Sequence, residues 1–161
     1  MRTAEEQSGR IDAYIARETI VSAVINGVIG ALFFLAIFGT AGRVAVGEWG
    51  YAIDFLPQSA AVALMACIVP GMIARRAQLA GRLGSAASHA VTIQWLLRAA
   101  FMSVLSALTL GAGIAFLWLS GNVATLDWPI ALGIKIIYGA ALGAWVTWRV
   151  LRRMVGGASL I

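Results

Sequence analysis

The chain has 161 residues, of which 61% are hydrophobic and 12% are charged, and its formal net charge is +5. Soluble domains average about 25% charged residues, so long apolar blocks with half that charge describe a membrane protein of one compact domain. One cysteine and one histidine exclude an internal disulfide, a Cys-x-x-Cys centre and a zinc or haem site built from paired ligands.

Residues 1–18 are polar and mixed in charge, and are expected to form a cytoplasmic amphipathic lead-in. Their opening, "MRTAEEQSG", is polar and acidic, and the apolar block behind it is too long for a cleavable signal and lacks a cleavage site, so it is expected to remain as an anchor. A bilayer core takes about 20 apolar residues in helical form. Four blocks meet that length, at 19–38, 55–74, 99–119 and 128–148, followed by a basic cytoplasmic tail at 149–161. The expected fold is an all-α integral membrane protein with four transmembrane helices in a compact bundle.

Lipid gives helices no hydrophobic reason to associate, so stripes of small residues at four-residue spacing mark the faces that approach each other. The first span carries Ala23, Gly27 and Ala31, with Asn26 as its one strongly polar group. Asn26 is expected to hydrogen-bond a neighbouring helix. The outer loop 40–54 alternates valines and aromatics about Gly47 and Glu48, which suggests a short local hairpin.

The second span opens on Asp54 and Pro57, where a carboxylate is expected to cap free N–H groups and proline's missing donor costs nothing. Its stripe is Ser59, Ala63, Cys67 and Gly71, and Cys67 reads as a small packing residue. The inner loop 75–95 is basic and partly amphipathic. It suits contact with an anionic leaflet, and His89 within it is expected to be solvated. The third span carries Ser103, Ala107, Gly111 and Ala115. The fourth opens on Asp127 and Pro129 and carries Gly139, Gly143 and Thr147.

One step back along that fourth stripe lies Lys135. A charge near mid-bilayer costs some 2.5–3.5 kcal/mol on insertion scales. Two readings stand. Side chains tilt toward the helix N-terminus, so the lysine can snorkel outward to headgroups, Asp54 or Asp127. Alternatively it serves as a counter-ion or anion site in a small polar cavity.

Arginines set the orientation. Arg2, Arg10, Arg17, Arg75, Arg76, Arg82, Arg98, Arg149, Arg152 and Arg153 fall on one side of the four spans, and only Arg43 on the other. Both termini are therefore expected in the cytoplasm, with the chain in the cell (inner or plasma) membrane. Aromatic belts agree: Trp49, Tyr51, Trp118 and Trp128 outside, Trp95, Trp145 and Trp148 inside.

The two halves echo one another. Arg17 precedes Gly39 as Arg98 precedes Gly121, and each second helix opens on Asp then Pro. That pattern describes two tandem helical hairpins related by an axis along the membrane normal.

No phosphate-binding loop, metal motif, intramembrane carboxylate pair or nucleophile–base set appears, so neither enzyme chemistry nor a cofactor is expected. Nor does any basic patch interleave with aromatic platforms, so nucleic acid is not expected. The expected partners are the lipid bilayer and other membrane subunits or further copies of the chain. The leading expectation is a non-enzymatic accessory or assembly subunit, or a homo-oligomer. A small permease or channel for an anionic or zwitterionic solute, using Lys135, is the alternative. A membrane-surface sensor built on the 75–95 loop is the third.

Overall fold

The computed structural model describes residues 4–40, 42–47, 50–80 and 91–156. Four helices account for most of them: α1 (Ala4–Phe38), α2 (Phe55–Leu79), α3 (Ile93–Ser120) and α4 (Trp128–Gly156). All four are long and apolar enough to cross a membrane. Two three-residue strands, β1 (Arg43–Ala45) and β2 (Thr125–Asp127), join the outer loops. Trp49, Glu48, Arg2 and residues 81–90 of the 75–95 connection, Arg82 and His89 among them, lie outside the described residues.

Each helix runs beyond the stretch expected from hydropathy. The lead-in is continuous with the first span, since α1 starts at Ala4, and α4 carries the basic tail as helix to Gly156. Once a helix has nucleated, each further residue adds a hydrogen bond, so polar flanks without a breaker simply extend it. True stops carry signals. Thr92 caps α3 by accepting from the Trp95 N–H at 3.2 Å. Gly39 ends α1 in the left-handed region, φ 58°, where a Cβ would be strained.

The helices do not pack in chain order. α1 lies along α4, α3 lies along α2, and α2 meets α4 in the middle, while the sequential pairs α1–α2 and α3–α4 touch little. The expected hairpins are thus not packing units. Each half sends its first helix to the second helix of the other half. Exchanging α1 with α3 and α2 with α4 turns the α1–α4 contact into the α3–α2 contact. The same exchange maps the antiparallel ribbon onto itself, through Arg43 with Asp127, Val44 with Leu126 and Ala45 with Thr125.

That ribbon replaces the local hairpin expected around Gly47. A turn does form there, with Gly50 donating to the Gly47 carbonyl and Tyr51 to the Ala45 carbonyl at 3.0 Å each. The strand partner, however, comes from the other half of the chain. The opposite end of the bundle is tied by Gln78, whose Nε2 donates to the Met154 carbonyl and whose Oε1 accepts from the Val91 N–H, at 3.4 Å each.

Two clusters fill the interior. Beneath the ribbon, Phe34, Tyr51 and Phe55 are buried with Trp118 and Trp128 against them. Further in, Val62, Ala66, Cys67, Leu96, Ala107, Leu142 and Val146 form a smaller-grained core. Tyr51 is therefore not a belt residue. It is fully buried, and its hydroxyl donates to the Ala131 carbonyl at 2.9 Å.

Candidate functional site

Positions 135, 139, 143 and 147 repeat every four residues and so share one face of α4. That face meets α1 and α2 along a column of buried polar groups. At its outer end Lys135 has no exposed surface, and its Nζ lies 2.8 Å from Asp54 Oδ2. The ammonium also sits 3.7 Å from the centre of the Phe55 ring and 4.9 Å from that of Tyr51. Both ring faces attract a cation.

Snorkelling to the headgroups is not what the side chain does. It reaches the acid that the sequence offered, but in the interior. Asp54 correspondingly abandons its expected role: it occupies the cap position of α2 without making a side-chain capping bond. The reason is electrostatic. A buried ammonium without a counter-charge costs far more than an uncapped N–H near water. Asp127, the other candidate, stays at the surface opposite Arg43 at 3.5 Å, with the two side chains 60% and 74% exposed.

One turn inward, Gln58 Nε2 donates to the Lys135 backbone carbonyl at 3.1 Å. Next, Asn26 Nδ2 donates to the Ser22 carbonyl at 2.8 Å, and Ser22 Oγ donates to the Gly143 carbonyl at 3.3 Å. The expected helix–helix bond of Asn26 is thus an in-helix bond, and Ser22 carries the link to α4. Last in the column, the Thr147 hydroxyl donates to the Ala66 carbonyl at 2.9 Å and lies 2.7 Å from Ser22 Oγ. That carbonyl is free because Pro70, four residues on within α2, has no N–H to give it. A neighbouring hydroxyl supplies what the proline withholds, so the buried carbonyl is not left unpaired.

Glycines let the column close. A Cβ on Gly30 would stand 2.9 Å from the Lys135 carbonyl oxygen, and one on Gly139 would stand 2.6 Å from that of Asn26. A Cβ on Gly143 would run into the Asn26 side chain. Gly27 has ordinary room, with Ala140 and Ile136 at 3.5 Å. On the other seam, Ala63, Cys67 and Gly71 of α2 are buried, as are Ala107 and Gly111 of α3. Gly111 lies against Ser59, and Gly71 against Leu96.

The stripe on α1 runs one residue earlier than the small residues suggest. Ser22, Asn26, Gly30 and Phe34 are buried, while Ala31 is only half-buried. Gln58, Gly30, Ser22 and Tyr51 complete the site without having been expected there. Three acceptors in or beside the column, Asp54 Oδ1, Gln58 Oε1 and Asn26 Oδ1, have no hydrogen-bond partner among the described residues. Just outside the helices, burial and then the nearby Asp54 carboxylate hold the Tyr51 phenol above its ordinary pKa.

No family model matches the chain, and no curated protein or solved structure does either.

Proposed function

We propose that the chain is a non-enzymatic, multi-pass protein of the cell (inner or plasma) membrane that works through helix packing. In this reading it is a small accessory or assembly subunit of a larger membrane complex, or a homo-oligomer. One observation carries it: the strongly polar chemistry of the helices is turned inward and filled by backbone-close contacts, while the flanking helices present apolar faces. α1 exposes Ile20, Val24, Val28 and Leu32, and α3 exposes Phe101, Met102, Leu105 and Phe116. The basic end of the bundle, with Arg75, Arg76, Arg98, Arg149, Arg152 and Arg153, supports termini on the cytoplasmic side. The exchange-symmetric packing supports descent from a duplicated helical pair.

Mass and composition after extraction with native lipid retained test the proposal. Foreign subunits or several copies in fixed stoichiometry are the expected outcome, and a lone monomer refutes it. Leucine at Gly139 and Gly143 is the wrong probe of association, because both glycines face Asn26 of the same chain. Lysines at Val28 and Phe101 probe the flanks instead.

The buried column favours a second reading, a small permease or channel for an anionic or zwitterionic solute. It reaches from Lys135 to Thr147, about 18 Å at 1.5 Å per residue. A solute carboxylate would have to displace Asp54 from Lys135. Solute-dependent flux in proteoliposomes that Lys135→Met abolishes supports this reading, and equal flux in both proteins removes it.

A further inference from the structure

Because α3 and α4 scarcely touch, a shallow cleft opens between them at the basic end of the bundle, with a cavity volume of about 40 Å³. On the α3 side, Trp95, Met102 and Ser103 share one helical face. On the α4 side, Trp145, Arg149 and Arg153 stand at four-residue intervals in one column. The floor is apolar and buried, formed by Val146 and Val150.

The two ends of the cleft differ in chemistry. Its rim is cationic and aromatic, with the Arg149 guanidinium 5.3 Å from the centre of the Trp145 ring. Stacking holds that cation at the height of the indole rather than letting it extend into water. Neither Arg149 nor Arg153 forms an ion pair among the described residues. The acids of α1, Glu5, Glu6, Asp12 and Glu18, belong to a helix that packs along α4 and not along α3. Deeper in, Met102 and Val146 offer apolar surface beside the Ser103 and Ser106 side chains.

We infer that this cleft is a binding site for an anionic phospholipid of the surrounding leaflet. Arg149 and Arg153 take the phosphate, the two tryptophans bracket the glycerol level, and Met102 with the valine floor takes the first part of an acyl chain. Charge complementarity selects the anionic lipid: guanidinium forks match phosphate oxygens bidentately, and basic clefts between spans on the cytoplasmic side suit such headgroups. The inference rests on the membrane placement proposed above.

The test is native mass spectrometry of the detergent-solubilised full chain titrated with dioleoyl phosphatidylglycerol, dioleoyl phosphatidylcholine or inorganic phosphate. The wild type should retain one phosphatidylglycerol at least fivefold over phosphatidylcholine, while phosphate alone gives no adduct. Arg149→Gln/Arg153→Gln should abolish the preference. The charge-matched control Arg76→Gln/Arg152→Gln should keep it, since Arg152 stacks on Trp148 outside the cleft at 4.8 Å. Equal retention of the two lipids by the wild type overturns the site. So does the same loss in both double variants, which would mean unspecific charge, or a phosphate adduct without lipid. Carbonate extraction of the same proteins from vesicles separates the two claims. If the chain inserts but shows no lipid preference, only the lipid site falls; if it does not insert, both fall.

Discussion

Lys135 and Asp54, eighty-one positions apart in the chain, meet at 2.8 Å in the interior, and each is the other's only counter-charge among the described residues. Removing one partner strands the other. Breaking a buried pair costs about 3–5 kcal/mol, whereas replacing both partners with apolar groups is often neutral or stabilising. Asp54→Asn should therefore destabilise the protein by about that amount, and Asp54→Leu/Lys135→Met should recover most of it. Reversible unfolding in mixed micelles measures both. A double variant as unstable as Asp54→Asn would show that the ions do more than neutralise each other.

The same substitution at Asp127 should do little. Its partner Arg43 is exposed across the ribbon, and exposed pairs contribute about 0–1 kcal/mol. Asp127→Asn should stay within about 1 kcal/mol of wild type in the same assay, and a larger loss would contradict its surface placement.

Proline and threonine form a separable device. Thr147→Val leaves the Ala66 carbonyl without a donor, which should cost about 1–2 kcal/mol. In a Pro70→Ala background residue 70 supplies that donor itself, so the cost of Thr147→Val should fall to a few tenths of a kcal/mol. A double-mutant cycle reads the coupling directly. Additive effects would rule out the shared carbonyl.

Glycines sort by what they face. Gly139→Ala drives a methyl into the Asn26 backbone carbonyl, which cannot swing aside as a side-chain end can, so overpacking should cost about 1–3 kcal/mol. Gly113 and Gly133 face open space, and alanine at either should be neutral or stabilising by up to about 1 kcal/mol. Thermal unfolding of the three variants gives the ranking.

Alkaline pH acts through Tyr51. Its pKa is raised in the folded protein, so the fold favours the neutral phenol. The stability it contributes is complete below the unfolded value of about 10 and is lost as pH climbs above it. Tyr51→Phe should cost about 1 kcal/mol at neutral pH, from the bond to Ala131, and should flatten part of the decline between pH 10 and 11. An unchanged slope would move the titration elsewhere.

The legible parts of this fold are those with a local physical cause. Long apolar blocks announced four helices, and Asp–Pro starts placed the beginnings of α2 and α4 correctly. On α2 the stripe Ser59–Ala63–Cys67–Gly71 is the buried face. On α1 the alanines misled, because alanine is indifferent between lipid and protein. Ser22 and Asn26 were the better guide, since a polar group must turn inward wherever lipid is the alternative. Gln58 carries the same signal, masked by its position near the span's outer end. The partner of β1 had no local cause to read, because antiparallel pairing across eighty residues leaves no trace in either three-residue segment. Asp54 was visible, but its choice between capping α2 and neutralising Lys135 depends on α4 being beside it.

The exchange of helices between the two halves sets the order of birth. During synthesis α1 emerges first, yet its chief neighbour, α4, is made last. Until then Asn26 and Ser22 lack the α4 backbone they pack against, Lys135 is still unmade, and Asp54 has no reason to leave the α2 cap. A ribosome that stops short of α4 releases a chain with its polar stripe open. Such a fragment is the form that quality control would find and remove.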